Sequence, residues 1–193
     1  MRGGYVGDAG SFVIDFVLGL YILCVLLRFL FQLTRADFYN PISQFLVKVT
    51  NPPLLALRRV IPGMWGIDLA SIALLLILSV AKLYLLGIVH GRLPSFAGAL
   101  TLGVAQLLEL TVNVVMVAII IRIILSWVSP YRANPIAGLL TSLTEPVMAP
   151  ARRIIPAIGG LDLSPIVVFL ALGLVRLLLV VPMIDIGNAL AAS

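Results

Sequence analysis

Apolar residues run along this chain in four long stretches, at positions 11–33, 67–89, 100–128 and 163–185, with polar residues gathered between them. A helix needs about 20 mostly apolar residues to cross a bilayer, so each stretch predicts a membrane span. The third is the longest, and its first residues after Pro94 read as a surface helix. Pro182 predicts a kink or an end in the fourth span. The segments between spans, 34–66 and 129–161, are too long for structureless loops and too apolar for solvated linkers. Asn40-Pro41 is a helix start, a capping side chain followed by proline at the first helical position, and Asn134-Pro135 repeats it. A second start follows at Thr50-Asn51-Pro52 and at Thr144-Glu145-Pro146, and Pro62 and Pro156 are placed to stop it. The pattern therefore predicts two short helices in each segment, lying in the interface or dipping into it.

A shift of 94 residues lays the chain on itself without a gap. Arg28 falls on Arg122, Asn40-Pro41-Ile42 on Asn134-Pro135-Ile136, Thr50 on Thr144, Arg58-Arg59 on Arg152-Arg153, and Asp68-Leu69 on Asp162-Leu163. Between positions 28 and 72 there are 15 identities in 45. Aliphatic bias would not align Asn, Pro, Arg and Asp, so the pattern signals a duplication. The expected units are residues 1–94 and 95–193. Each holds two spans, so both enter the membrane the same way round, as parallel repeats about an axis along the membrane normal. The fold class is an all-α membrane protein: four spans in two tandem repeats, each span–two short interfacial helices–span.

Composition agrees. The 193 residues are 62% hydrophobic and 11% charged, where soluble domains carry roughly 45–50% and about 25%. Lipid must therefore solvate part of the surface. The net charge of +5 comes from cations scattered among apolar runs, without a basic stripe interleaved with aromatics, so no direct nucleic-acid partner is expected. The inter-span segments carry Arg35, Lys48, Arg58, Arg59, Arg132, Arg152 and Arg153, against Arg2 and Arg92 on the other side. Seven against two places those segments in the cytoplasm and both termini outside. The first ten residues lack the basic run and cleavage site of a signal peptide, so the first span is expected to be retained. Trp65 and Trp127 fall at span ends, where interfacial anchors belong.

Away from Asp68 and Asp185 at the span ends, six ionisable residues lie within the spans and form three repeat-related pairs: Asp15 with Glu109, Arg28 with Arg122, and Lys82 with Arg176. Intramembrane charges are costly and find partners. Depth along the helices sets Asp15 and Glu109 level with Lys82 and Arg176 near the outer ends, with pairing inside a repeat and pairing across repeats both open. Near the other end, Arg28 is expected to meet Asp68, and Arg122 to meet Asp162. Such pairs lock helices together or line a polar path for an ion, and Asn113, one turn from Glu109, would extend such a path. Arg58, Arg59, Arg152 and Arg153 anchor the cytoplasmic face by snorkelling or hold a lipid headgroup or partner. Forked guanidiniums suit phosphate, and the helix starts at Asn40 and Asn134 offer backbone N–H groups.

Cys24, the only cysteine, excludes an intrachain disulfide, and His90, the only histidine, sits at a span end as an exposed interfacial side chain. No ligand spacing for a metal is present, nor a nucleophile–base set or a nucleotide-binding glycine loop. Neither enzymatic activity nor a cofactor is expected.

The run Leu143-Thr144-Glu145-Pro146 through Ala151-Arg152-Arg153-Ile154-Ile155-Pro156, followed by Gly159-Gly160-Leu161-Asp162-Leu163-Ser164-Pro165-Ile166, resembles the signature of the YggT (YlmG) family. The first copy resembles it too, at Asn51-Pro52, at Arg58-Arg59-Val60-Ile61-Pro62 and at Gly66-Ile67-Asp68-Leu69, and departs from it where Ala70-Ser71 replaces Ser164-Pro165. The resemblance implies a multi-pass protein of the bacterial inner (plasma) membrane with no catalytic site. It points to osmotic stress and potassium-linked ion homeostasis in some members, and to cell division and membrane organisation in others. Plastid relatives point to cytochrome complex assembly and nucleoid distribution. The expected function is a scaffold or assembly factor with a basic cytoplasmic face, with a pore or its modulator as the alternative. The expected partners are anionic membrane lipids and membrane or division-associated proteins, with a homo-oligomer left open.

Overall fold

Four helices are long and apolar enough to cross a membrane, Tyr5–Leu33, Leu69–His90, Phe96–Trp127 and Ser164–Ala192. Only 11% to 28% of their most apolar windows is buried within the protein, so the rest must be covered by lipid. The structure, a computed structural model, describes residues 4–64, 66–128, 135–155 and 162–192. Its helices are α1 (Tyr5–Leu33), α2 (Pro41–Arg58), α3 (Leu69–His90), α4 (Phe96–Val128), α5 (Pro135–Ile154), α6 (Ser164–Val175) and α7 (Val181–Ala192). Among the described residues there is no strand, and the molecule is an all-α, multi-pass membrane protein.

Within each half the two spans form an antiparallel hairpin. Ser11 at the start of α1 meets His90 at the end of α3, with 3.2 Å between Oγ and Nε2. Ser95, just before α4, donates its hydroxyl to Leu190 O near the end of α7 at 2.7 Å. The halves join along α3 and α4 and through α1 and α5. Their shared core sits toward the end that carries α2 and α5, where Val25, Leu26, Leu54 and Leu74 pack with Ala118 and Leu143. The flanks away from this core are apolar and open, as at Phe12, Phe16, Leu170 and Leu178.

Among the described residues each inter-span segment holds one continuous helix where two short ones were expected. α2 runs through Pro52 and Pro53, and α5 through Pro146 and Pro150. A proline ring removes one helical hydrogen bond and opens the carbonyl four residues back. For Pro53 that carbonyl is Val49 O, which accepts from the Tyr21 hydroxyl of α1 at 3.5 Å. Pro52, Pro146 and Pro150 lie on the exposed face, where water reaches the freed carbonyls. Thr50, expected to start a second helix, is a fully buried mid-helix residue whose hydroxyl donates to Leu46 O at 2.6 Å. Pro62 lies beyond the end of α2, and Pro156 is outside the described residues.

Pro182 neither ends nor breaks the fourth span. Five π-helical residues, Arg176–Val180, join α6 to α7, and Val181 N–H reaches back to Arg176 O. The wider turn absorbs the missing proline donor. α1 ends in a cap closed by Ala36 N–H to Phe31 O at 2.8 Å and Arg35 N–H to Gln32 O at 3.2 Å. Arg35 holds φ of 52° there, in the left-handed region where glycine is usual. An L side chain in that conformation costs on the order of 1 kcal/mol.

Candidate functional site

The polar groups of this apolar molecule fall into two belts. One lies at the end bearing α2 and α5, and the other toward the termini.

In the first belt an arginine from a span clamps each inter-span helix. Arg28 Nη1 donates to Thr50 Oγ1 at 2.7 Å and to Val47 O at 3.3 Å. Arg122 Nη1 donates to Thr144 Oγ1 at 2.7 Å. Both threonines are fully buried, and their hydroxyls also donate to the helix carbonyl one turn back. The offset of 94 thus carries over from sequence to contact. These threonines were not among the candidates from sequence, although each is a polar residue shared by both copies within an apolar helix face.

The expected partners of Asp68 and Asp162 are corrected here. Asp68 pairs with Arg58 rather than Arg28, and Asp162 with Arg152 rather than Arg122, the latter at 3.1 Å. The reason is the continuous helix. α2 and α5 carry Arg58 and Arg152 to the foot of the following span, ten residues before each aspartate. Each aspartate also caps the helix it precedes. Asp68 accepts from Ser71 N–H at 3.4 Å and from the Ser71 hydroxyl at 2.7 Å. Asp162 Oδ1 accepts from Ser164 N–H at 3.0 Å and from the Ser164 hydroxyl. Ala70-Ser71 therefore replaces Ser164-Pro165 without loss of the hydroxyl, which moves one position along.

The clamps of the two copies differ in one carboxylate. Glu145, at the position of Asn51, accepts from Arg122 at 3.1 Å and from Arg152 at 3.0 Å. The second copy is thereby a chain of Arg122, Glu145, Arg152 and Asp162. Among the described residues no carboxylate lies within ion-pair distance of Arg28, which is only 8% exposed. Arg59, Arg153 and Lys48 are exposed on the same end of the molecule. Asn40 is buried: its carbonyl oxygen accepts from Ile42 N–H at 3.0 Å, and its amide donates to Pro135 O at 2.8 Å. It ties the starts of α2 and α5 together. Asn134 lies outside the described residues, as does Trp65.

In the second belt Asp15 pairs with Lys82 at 2.7 Å and Glu109 with Arg176 at 2.8 Å. Each pair lies inside its own repeat, α1 with α3 in the first and α4 with the π segment in the second. A cavity of about 340 Å³ opens beside them, lined by Ser79, Lys82, Gln106, Glu109 and Asn113. The helices therefore pair these charges and also leave them beside a polar space.

Burial alone would push the carboxyls of Asp68 and Asp162 up, but hydrogen bonds from Arg58 and Ser71, and from Ser164 and Arg152, hold both below the ordinary 3.8. Burial lowers Arg152, yet Asp162 and Glu145 outweigh it and raise the group. A depressed aspartate contributes stability that is present above its unfolded value and lost as pH falls through its folded value. Thermal melting in detergent should therefore be flat on this account from pH 7 to pH 5 and fall below about pH 3.9. The Asp68→Asn/Asp162→Asn double variant should start lower at pH 7 and fall less steeply. An equally steep fall would show that other carboxylates set the acid limit.

The CCB3/YggT family matches the chain over residues 8–89 and 101–183. An uncharacterized protein of Pseudomonas aeruginosa is 44% identical over 177 residues, 91% of this chain and 90% of its own length. An uncharacterized protein in the proC 3′ region of Vibrio alginolyticus is 46% identical over 164 residues, 84% of this chain and 88% of its own. The uncharacterized YggT of Escherichia coli K12 is 40% identical over 167 residues, 86% and 87% of the two chains. No solved structure matches the chain significantly.

Proposed function

The chain belongs to the CCB3/YggT family, and from that premise we propose that it is a non-enzymatic scaffold of the bacterial inner membrane. In this reading α2 and α5 form a basic cytoplasmic platform, both termini face outward, and the duplicated units are residues 1–94 and 95–193. One observation carries it: each inter-span helix is pinned rigidly to its spans by a buried Arg–Thr clamp, while Lys48, Arg59 and Arg153 stay exposed. A clamped helix has its ordering entropy already spent, which is what a docking platform needs. Its occupants would be anionic lipid, or a membrane or division-associated protein partner. Photo-crosslinkers at Lys48 and Gln44 in living cells should capture a discrete partner band. Arg59→Glu/Arg153→Glu should remove it while the protein still inserts at wild-type levels. An undiminished band would sink the platform.

The second reading is an ion-homeostasis component, favoured by the polar cavity beside Lys82 and Glu109. Against it, Asp15 and Glu109 are each already neutralised by a base. Glu109→Gln should abolish potassium flux in proteoliposomes if the cavity conducts, and equal flux in the variant would leave the pair a structural role.

A further inference from the structure

A second cavity, of about 410 Å³, lies where α1 ends and α2 begins. Its polar lining is Arg28, Gln32, Arg35, Ser43 and Arg58. We propose that this cavity binds a phosphate group, as a lipid headgroup or as the free anion. The site stands on its own geometry, whatever the basic platform holds.

Four observations converge. Three guanidiniums line one space, and among the described residues the one carboxylate that pairs with any of them, Asp68, is in contact with Arg58. Arg28 is buried, its hydrogen bonds go to neutral partners, and among the described residues no carboxylate lies within ion-pair distance of it. Ser43 Oγ, which also lines the cavity, is buried without a hydrogen-bond partner among the described residues. The second repeat has Ala137 at the same position, so folding at this place does not require the hydroxyl. Arg35 adopts a left-handed conformation better suited to glycine, and doing so places its side chain at the cavity.

The second repeat shows what completes such a site. There Glu145 bridges Arg122 and Arg152, the counterparts of Arg28 and Arg58. The first repeat has Asn51 in that position. Where the second copy supplies its own oxyanion, the first leaves room for one from outside. Phosphate satisfies forked guanidiniums with several acceptor oxygens at once, and a free serine hydroxyl adds a donor. An apolar groove lined by Leu27, Phe31 and Leu143 shares Phe31 with the cavity, so an acyl chain has a path beside the phosphate.

The test uses the full chain, stripped of lipid in a non-ionic detergent. One arm adds inorganic phosphate and reads the melting temperature. The other places the protein in nanodiscs of phosphatidylcholine with and without phosphatidylglycerol, and reads bound lipid by native mass spectrometry. A melting response to phosphate identifies the free anion, and retention of phosphatidylglycerol alone identifies a headgroup; either supports the site. Asn51→Glu, which installs the carboxylate of the second repeat, should weaken the responding ligand at least tenfold while melting no lower than wild type without it. Arg35→Gly, which also relieves the backbone, should weaken it in the same direction and serves if Asn51→Glu fails to fold. No response in either arm, or a wild-type response in these variants, would overturn the proposal.

Discussion

Gly98→Val is expected to lower the stability of the protein by about 3 kcal/mol, the upper end of the range for overpacking a tight contact. A Cβ on Gly98 would lie 2.4 Å from both Cα and N of Ala191, and these are backbone atoms that cannot turn aside. A Cβ on Gly187 would lie 2.8 Å from the Leu102 side chain and 3.1 Å from Leu102 N. Lipid tails are as apolar as the helices, so close backbone approach between small residues, rather than escape from water, holds α4 to α7. The valine must push the helices apart and strain the Ser95 hydroxyl's bond to Leu190 O. The matching position in the first repeat is Gly4, where an added Cβ meets nothing within 4 Å. Gly4→Val should therefore melt as wild type does. Unfolding titrations in mixed detergent micelles measure both, and equal curves for the two variants would show that α7 is not seated on α4.

Glu145→Ala is expected to cost about 2 kcal/mol. Removing one partner from a buried pair costs about 3–5 kcal/mol, because the other charge stays buried without its counter-ion. The Arg122 side chain is 12% exposed, but that of Glu145 is 43% exposed, so solvent screening reduces the figure. Arg152 keeps Asp162, so the loss concentrates on Arg122. Glu145→Gln retains an acceptor and should recover part of it. The same unfolding titration reads the difference, and a neutral Glu145→Ala would mean that the remaining partners of Arg122, Thr144 among them, satisfy the guanidinium.

The four spans were legible because an apolar run of sufficient length has few other fates. The helix starts were legible too, since Asn40 before Pro41 encodes a local geometry that α2 adopts. The prolines misled. Pro52 and Pro53 forbid local hydrogen bonds, and local rules end a helix there. Tyr21, 28 residues away, donates to Val49 O, the carbonyl that Pro53 frees, and lets the helix continue. Depth along the spans sets Arg28 near Asp68, but α2 carries Arg58 into contact with it.

Hydropathy, capping and the 94-residue offset are local or periodic along one chain, and they specified a membrane-embedded, all-helical protein whose charged positions recur in register. Partner choice is a different kind of quantity. Whether Asp15 meets Lys82 or Arg176, and whether Asn51 leaves Arg28 without a carboxylate, depends on lateral distances between helices, which depth along a span does not contain. Folding settled those distances. It kept the outer acid–base pairs within their repeats, tied Asn40 to Pro135 across them, and opened a cationic cavity beside Arg28, whose counterpart Arg122 pairs with Glu145.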